Sequence, residues 1–260
     1  MPPAPTIDEP PLWDEARLRD PHHQPDKAHR VRRMFDHIAP TYERVNTLTS
    51  AGRDRHWRRR AVALCAASRA DVVLDVACGT GDLARAFAAV VGRVVGLDFS
   101  SDMLRLARAR PAPATAWVRA DALKLPFADA SFTIVGCAFG VRNFQDLGDG
   151  LREFHRVLRP AGRAVILEFT MPRGRLIGGL YRFYLMNILP RVAGWLSGDR
   201  HGAYRYLSRS VASFENEDGM EESLRSAGFV SVERHSLTCG VVCVYVARKA
   251  GSQPGHETRT

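Results

Sequence analysis

Apolar residues follow two different periods along the chain, and the alternation between them predicts the fold. Short runs rich in valine, isoleucine and leucine are typical of buried strands, whereas the segments between them carry apolar residues at helical spacing. Seven strands are predicted, at residues 71–78, 93–98, 115–121, 132–139, 163–169, 230–237 and 241–247. Strands that alternate with helices indicate a doubly wound, mostly parallel α/β sheet. The last two runs are joined too closely for a crossover helix, so the seventh strand should be antiparallel.

Helical patterns fill the intervals and form a cap ahead of the sheet. The cap covers residues 28–68 and has a predicted break at Pro40, because proline cannot donate the backbone hydrogen bond that a helix interior needs. Ser100 or Ser101 is expected to cap the helix that runs to residue 110. Further helices are predicted at 82–90, 144–158 and 218–226, and a helical insertion after the fifth strand ends near residue 213.

Composition divides the chain into one domain and two tails. Residues 1–26 hold seven of the 15 prolines, which predicts a flexible tail, and the polar residues 251–260 predict a second one. Residues 27–250 form the predicted domain. Its chain is 45% hydrophobic and 25% charged overall, which is typical of a globular protein and not of a disordered or membrane-spanning one.

The number and spacing of the cysteines, together with the N-terminal sequence, predict a cytoplasmic protein without a bound metal. Five cysteines are an odd number for a disulfide framework, and no signal-like segment opens the sequence. Cys239 and Cys243 form a C-x3-C pair, but in an apolar, strand-like stretch such a pair is more typical of core thiols than of zinc ligands. The sequence does not determine the oligomeric state, and a homo-oligomer stays open.

The formal net charge of +9 admits several partners. The densest basic run lies at residues 53–60, and it is typical either of a solvated helix face or of a surface that attracts a membrane or a substrate. Nucleic acid is the least favoured partner, because no aromatic RNA-binding motif accompanies the run. The longest apolar stretch, 176–196, is interrupted by Arg182, Pro190 and Arg191. It is too broken to span a bilayer, and the helical spacing of its apolar residues predicts a buried core stripe, with a prenyl channel or a membrane-facing surface as the alternatives. Only peripheral contact with the inner face of a membrane is therefore expected.

Glycine and acidic residues stand where the first two predicted strands end. The turn Gly79-Thr80-Gly81 lets backbone approach a ligand closely and directs helix N–H groups at it. Asp98 closes the second strand, where a carboxylate can accept hydrogen bonds from both hydroxyls of a ribose. Taken alone, this pattern fits a dinucleotide site of an NAD(P)-dependent oxidoreductase equally well.

Two more acidic positions favour a ligand that carries positive charge and no phosphate. Asp75 stands four residues before Gly79 and can face a cationic group, and Asp121-Ala122 closes the third strand, where a carboxylate can accept the amine of an adenine. S-adenosylmethionine combines a ribose, an adenine, a sulfonium and an ammonium. The oxidoreductase stays open as an alternative, as does a non-catalytic basic module that binds nucleic acid or membranes.

Several further motifs are spread over residues 31–248. They include Met34-Phe35-Asp36, Tyr42-Glu43-Arg44-Val45-Asn46, Leu74-Asp75-Val76-Ala77-Cys78-Gly79-Thr80-Gly81-Asp82, Phe139-Gly140-Val141-Arg142-Asn143 and Tyr204-Arg205-Tyr206-Leu207. In these motifs the chain resembles the ubiquinone/menaquinone biosynthesis C-methyltransferase family. The resemblance implies a class I methyltransferase that moves a methyl group from S-adenosylmethionine to a ring carbon of a polyprenylated quinol. Demethylmenaquinol is the first candidate acceptor, and the ubiquinone-precursor benzoquinol or another small molecule is the alternative.

The resemblance also implies roles for individual residues. Thr80, Asp98 and Asp121-Ala122 would contact S-adenosylmethionine beside the glycine turn, although Ala138 replaces a serine that the family usually carries at this edge. A quinol carbon is a better nucleophile when a neighbouring hydroxyl is ionised, and a phenol with a pKa near 10 is mostly neutral at pH 7. Arg142 is the candidate catalytic residue, since its guanidinium can stabilise the oxyanion or hold a water that takes the proton. The alternative for Arg142 is a structural ion pair with a carboxylate.

Overall fold

Seven strands form one sheet in the computed structural model, which describes residues 11–199 and 201–251. The strands are β1 Val72–Val76, β2 Arg93–Asp98, β3 Thr115–Arg119, β4 Phe132–Ala138, β5 Leu158–Phe169, β6 Ser231–Leu237 and β7 Val242–Arg248. Their order across the sheet is β3-β2-β1-β4-β5-β7-β6. Only β7 runs against its neighbours, pairing antiparallel with both β5 and β6. The predicted doubly wound sheet with a reversed last strand is therefore confirmed.

Helices cover both faces of this sheet and extend beyond its carboxyl edge. They are α1 Lys27–Thr49, α2 Arg53–Leu64, α3 Asp82–Ala88, α4 Ser101–Arg108, α5 Leu147–Val157, α6 Arg175–Phe183, α7 Leu189–Ser197, α8 Ala203–Ser213 and α9 Glu217–Ser226, with a π-helical turn Tyr184–Ile188 between α6 and α7. Ser100 caps α4, its Oγ accepting the N–H of Met103 at 3.1 Å. Among the described residues, no helix combines the length and apolarity needed to cross a bilayer.

The predicted break at Pro40 is wrong, because α1 continues through that residue. Apolar side chains on both sides of Pro40, among them Met34 and Val45, belong to one buried cluster. Packing of the whole helix thus outweighs the hydrogen bond that proline cannot make, a loss of about 3 kcal/mol in an isolated helix. The chain breaks instead after α1, where Ala51 and Gly52 both adopt positive φ angles, 50° and 73°.

Residues 11–26 differ from the flexible tail that the prolines predict. Leu12, Trp13 and Leu18 are buried, and a 3-10 turn spans Arg17–Arg19. The Trp13 ring stacks on Tyr206 with 4.0 Å between ring centroids. Burying these apolar side chains stabilises a segment whose prolines exclude long regular structure. The rest of the predicted N-terminal tail, residues 1–10, and residues 252–260 of the other tail lie outside the described residues.

Candidate active site

Three adjoining cavities lie at the carboxyl edge of the sheet, where ligands bind in open α/β folds. The first cavity, about 800 Å³ with its open mouth, lies beyond the ends of β1 to β4 and beneath α1. The glycine-turn pocket, about 310 Å³, lies between the turn after β1 and helix α2. The second cavity, about 800 Å³, lies under the π-helical turn and α8. Cavities of this size accommodate a cofactor or a substrate.

The glycine turn contributes one residue to the ligand space and one to packing. Gly79 has a φ of 55°, lines the first cavity, and has no atom within 4 Å of the position that a Cβ would take. A Cβ on Gly81 would lie 2.4 Å from the Trp117 ring, and this glycine lines none of the three cavities. The missing side chain of Gly81 thus lets α3 approach β3, and its cofactor role stays a prediction.

Asp98 is fixed by backbone donors at the edge of the first cavity. Its Oδ2 accepts the N–H of Gly79 at 2.7 Å and its Oδ1 accepts the N–H of Ser100 at 2.8 Å. Burial raises the pKa of Asp98, and these N–H donors oppose the shift. Since each carboxylate oxygen has two lone pairs, both oxygens retain capacity for ligand hydroxyls.

Asp121 and Ala122 also line the first cavity. The Asp121 carboxylate accepts the N–H of Leu123 at 2.9 Å through Oδ1, in a turn after β3. Asp121 is solvent-exposed, whereas Ala122 is buried. The Asp121 carboxylate can accept a hydrogen bond from the amino group of an adenine that packs against Ala122.

The glycine-turn pocket contains Thr80 and a buried carboxylate, Asp75. Neither Asp75 oxygen has a donor in hydrogen-bond geometry among the described residues, and the side chain is fully buried. Burial raises the pKa of Asp75 to about 8, and the Ala84 backbone and Arg58 oppose this shift more weakly. A buried carboxylate without donors is costly unless a ligand supplies them. A cationic donor such as an ammonium group satisfies both its charge and its lone pairs.

The second cavity has a charged inner end and an apolar wall. Arg142 lines it, and both Arg142 and Glu168 are buried. The Arg142 Nη1 donates to Glu168 Oε1 at 2.5 Å and to the Phe139 carbonyl at 2.8 Å. The ion pair that was the alternative role for Arg142 thus forms, and the Arg142 Nε has no hydrogen-bond acceptor among the described residues. The apolar wall is formed by Trp57, Phe169, Tyr181, Tyr184, Leu185, Leu189, Leu207, Val211 and Val241.

The boundary between the first and second cavities is built from strained backbone and stacked rings. Phe139 follows β4 with a φ of 59°, which is unfavourable for a side chain of this size. Its ring stacks on Phe169 with 4.4 Å between centroids and meets the edge of Trp57. Strained positions held in place by packing are common at functional sites. Phe139 lines both large cavities, so they meet at its ring.

Helix α1 completes the site, and its residues were not predicted to do so. Tyr42 lines all three cavities, and Val31 and Phe35 cover the first. The Lys27 Nζ donates to the Phe144 carbonyl at 2.5 Å, and Ser100 Oγ donates to Asp36 at 2.5 Å, which fixes the helix above the first cavity. The motif around Tyr42 carries part of the family resemblance, so it could have marked Tyr42 as a site residue. The sequence alone does not show where this motif lies relative to the sheet.

The remaining tyrosines divide between substrate space and support. Tyr204 lines the second cavity, whereas Tyr206 lies behind it and its hydroxyl donates to Asn143 Oδ1 at 3.1 Å. Asn143 lines the first cavity.

Across residues 11–199 and 201–251, no group of three or more His, Cys, Asp or Glu side chains is arranged to hold a metal ion.

Solved structures share this architecture at low sequence identity. A Haloferax volcanii methyltransferase, solved in complex with the Trm112 methyltransferase activator, aligns with a TM-score of 0.62 and 21% identity, over 83% of this chain and 97% of that one. The [4+2]-cyclase SpnF aligns with a TM-score of 0.61 and 18% identity, over 86% and 97%. The fold is that of the class I S-adenosylmethionine-dependent methyltransferases, and the carboxylates of Asp98, Asp121 and the unsatisfied Asp75 lie at the cavities beyond its strand ends.

Sequence comparison places the chain within that class. The model of the ubiE/COQ5 methyltransferase family matches residues 23–249, so the chain belongs to this family. The demethylmenaquinone methyltransferase of Chlorobaculum tepidum is 42% identical over 224 residues, 84% of this chain and 92% of that protein. That of Deinococcus radiodurans is 43% identical over 229 residues, 86% and 94%. The ubiquinone/menaquinone biosynthesis C-methyltransferase of Geotalea daltonii is 40% identical over 232 residues, 86% and 98%. The alternative of an NAD(P)-dependent oxidoreductase is not favoured.

Proposed function

We propose that this enzyme methylates a ring carbon of a polyprenylated quinol, with demethylmenaquinol as the acceptor. The observation that carries the proposal is the junction of the two large cavities at Tyr42 and Phe139. One cavity has the acidic rim that suits an adenosyl ligand, and the other is apolar enough for a prenylated ring. Relatives of 42–43% identity named demethylmenaquinone methyltransferase support this choice of acceptor.

The first cavity and the glycine-turn pocket hold the proposed cofactor residues. Asp98 is the acceptor for ribose hydroxyls, Asp121 and Ala122 face the base, and Asp75 with Thr80 faces the amino-acid end. S-adenosylmethionine, when bound, supplies an electrophilic methyl group. The chain supplies the alignment, and holding two reactants in line can contribute roughly 7–11 kcal/mol toward the barrier.

Arg142 is the proposed catalytic residue at the inner end of the second cavity. Its guanidinium is charged at every physiological pH and can stabilise the quinol oxyanion that activates the ring carbon. Glu168 is a positioning residue, because its carboxylate accepts a hydrogen bond from Nη1 at 2.5 Å, while the Nε of Arg142 has no acceptor among the described residues. Tyr42 keeps its proton, since burial raises the pKa of its hydroxyl, so it acts as a neutral hydrogen-bonding group between the cavities.

A polyprenylated acceptor also determines where the enzyme works. Such a quinol resides in a lipid bilayer, whereas no described helix of this chain can span one. We therefore propose that the enzyme is cytoplasmic and works in peripheral contact with the membrane.

Methyl transfer from radiolabelled S-adenosylmethionine tests the proposed reaction. Chemically reduced demethylmenaquinol, its oxidised form and the ubiquinone-precursor benzoquinol are supplied in parallel to purified protein. Label in the reduced naphthoquinol and not in its oxidised form is the expected result, because only the reduced form has an ionisable hydroxyl. Label in the benzoquinol alone would show that the benzoquinol, and not demethylmenaquinol, is the acceptor. Label in none of the three compounds, despite cofactor binding, would refute the proposal.

A further inference from the structure

An apolar surface lies on the outer side of α6, the π-helical turn and α7. Eight of the eleven large apolar side chains that are exposed among the described residues fall within residues 176–196. Trp195 is 83% exposed and Leu176 is 77% exposed. We call this set the outer apolar face; its members are Leu176, Ile177, Leu180, Phe183, Ile188, Val192, Trp195 and Leu196. Exposed apolar residues concentrated on one element mark an interaction site.

The same helical segment faces the second cavity with its other side. Tyr181, Tyr184 and Leu185 line that cavity, while Leu180 and Phe183 point to solvent from adjacent positions. The segment is thus a single helical layer, apolar on both sides, between the cavity and the exterior. Its π-helical turn falls at the residues that face the cavity, and such turns are frequent at functional sites.

The charge around the outer apolar face selects its partner. Residues 169–198 contain four arginines and no aspartate or glutamate. Arg175 and Arg182 are exposed and have no ion-pair partner among the described residues. A second copy of the chain that met this face with its own outer apolar face would bring arginines against arginines. An anionic lipid surface instead accepts the apolar side chains in its acyl layer and the arginines at its head groups.

We propose that the outer apolar face docks on an anionic lipid bilayer and that the prenyl chain of the acceptor enters the second cavity past this segment. The inference rests on the proposed function for the acceptor's chemistry, but the docking has its own readout. Trp195 reports on it directly, because Trp13 and Trp57 are buried and Trp117 is half-buried.

Vesicle binding tests the docking with the full chain. Vesicles of phosphatidylcholine with and without phosphatidylglycerol are titrated, and co-sedimentation and tryptophan emission are recorded. We expect binding to the anionic vesicles, a blue shift of Trp195 emission, and quenching by lipids brominated near the head group. Absence of binding to anionic vesicles would overturn the inference.

A pair of matched variants locates the contact. Leu180→Ser changes a residue of the outer apolar face that is 63% exposed. Val230→Ser changes a residue directly before β6 that is 62% exposed. We expect Leu180→Ser to weaken vesicle binding roughly tenfold and Val230→Ser to leave it unchanged, because only the first loses buried apolar area in the bilayer. Arg182→Gln should weaken it about fivefold, whereas Arg105→Gln on α4 should not. Equal effects within either pair would overturn the inference.

Two further readouts separate this inference from the proposed function. Methylation of a quinol with a single prenyl unit in solution should be the same in Leu180→Ser and in the parent protein. Methylation of a long-chain quinol embedded in vesicles should fall with vesicle binding. If the soluble quinol is not methylated, the proposed function fails whatever the vesicles show. If the blue shift instead depends on protein concentration without lipid and sedimentation shows a dimer, the partner is a second copy and the bilayer proposal is wrong.

Discussion

The donor side and the acceptor side of this active site are built in different ways. The donor side, the first cavity with the glycine-turn pocket, is formed largely by residues at the ends of parallel strands, such as Asp98 and Asp121. The acceptor side, the second cavity, is enclosed mainly by helices α1, α2 and α8 and the π-helical turn. A strand end occupies a position that topology dictates, whereas a helical wall depends on how separate elements pack. Substitutions in the wall of the second cavity should therefore affect the acceptor and the chemical step more than cofactor binding.

Among these substitutions, Arg142→Gln should have the largest effect on methyl transfer. It should affect only the acceptor side of the site. Removing the guanidinium from the inner end of the second cavity should lower kcat roughly 100- to 1,000-fold, as loss of an oxyanion-stabilising donor does. The dissociation constant for S-adenosylmethionine should stay within about twofold. Single-turnover methyl transfer and calorimetric cofactor binding measure the two quantities.

A double variant separates chemistry from structure at this position. Arg142→Gln alone leaves Glu168 buried without its partner, which should lower the free energy of unfolding by about 3 kcal/mol. Arg142→Gln with Glu168→Gln removes the buried charge and should recover stability without recovering kcat. Recovery of both in the double variant would show that the arginine has a structural role only.

Asp75→Asn should have a smaller effect, confined to the donor side. The substitution removes the charge that faces a cationic ligand, so the affinity for S-adenosylmethionine at pH 8 should fall about tenfold, with little change in kcat at saturation. Cofactor binding to the parent protein near pH 7 should release part of a proton, because a cation lowers the raised pKa of Asp75. Calorimetry in two buffers of different ionisation enthalpy measures this release, which the variant should lack.

The same residue predicts a pH dependence of stability. In the folded chain the pKa of Asp75 is about 8, against 3.8 for an unperturbed aspartate, so the folded state holds the extra proton between these values. Its contribution to the free energy of unfolding is therefore complete below pH 4 and is lost as the pH rises toward 8. Asp75→Asn should gain on the order of 5 kcal/mol in the free energy of unfolding relative to the parent across this window. Parallel stability curves from pH 4 to pH 8 would refute the burial of an unsatisfied carboxylate.

The contrast between the two sides also explains what could be predicted from the sequence. Asp98 lies at a strand end, and strand ends follow from the alternation of apolar runs, so its approach to Gly79 was predictable. Gly81 was assigned to the ligand because its turn is glycine-rich, but the contact that requires a glycine is with Trp117 on another strand. No local period encodes such a contact.

The helical side was less predictable for the same reason. Tyr42 and Phe35 reach the cavities only because α1 runs unbroken through Pro40, against the local preference of that residue. Packing with Trp13, in a segment whose prolines predict flexibility, decides the outcome. Such packing is set by elements far apart in the chain, and a single sequence does not specify it.

Tyr206→Phe should have the smallest effect and tests whether the two sides are joined. The Tyr206 hydroxyl donates to Asn143 Oδ1 at 3.1 Å, and Asn143 lines the first cavity, so a helix of the acceptor side positions a residue of the donor side. Losing this hydrogen bond costs about 1 kcal/mol, so the KM for S-adenosylmethionine should rise about fivefold while the stacking on Trp13 persists. Tyr245→Phe is the matched control, because Tyr245 is equally buried but its side-chain partner, Cys243, lines none of the three cavities, whereas Asn143 lines the first. If Tyr206→Phe changed only stability, as Tyr245→Phe should, the two sides of the site would be independent.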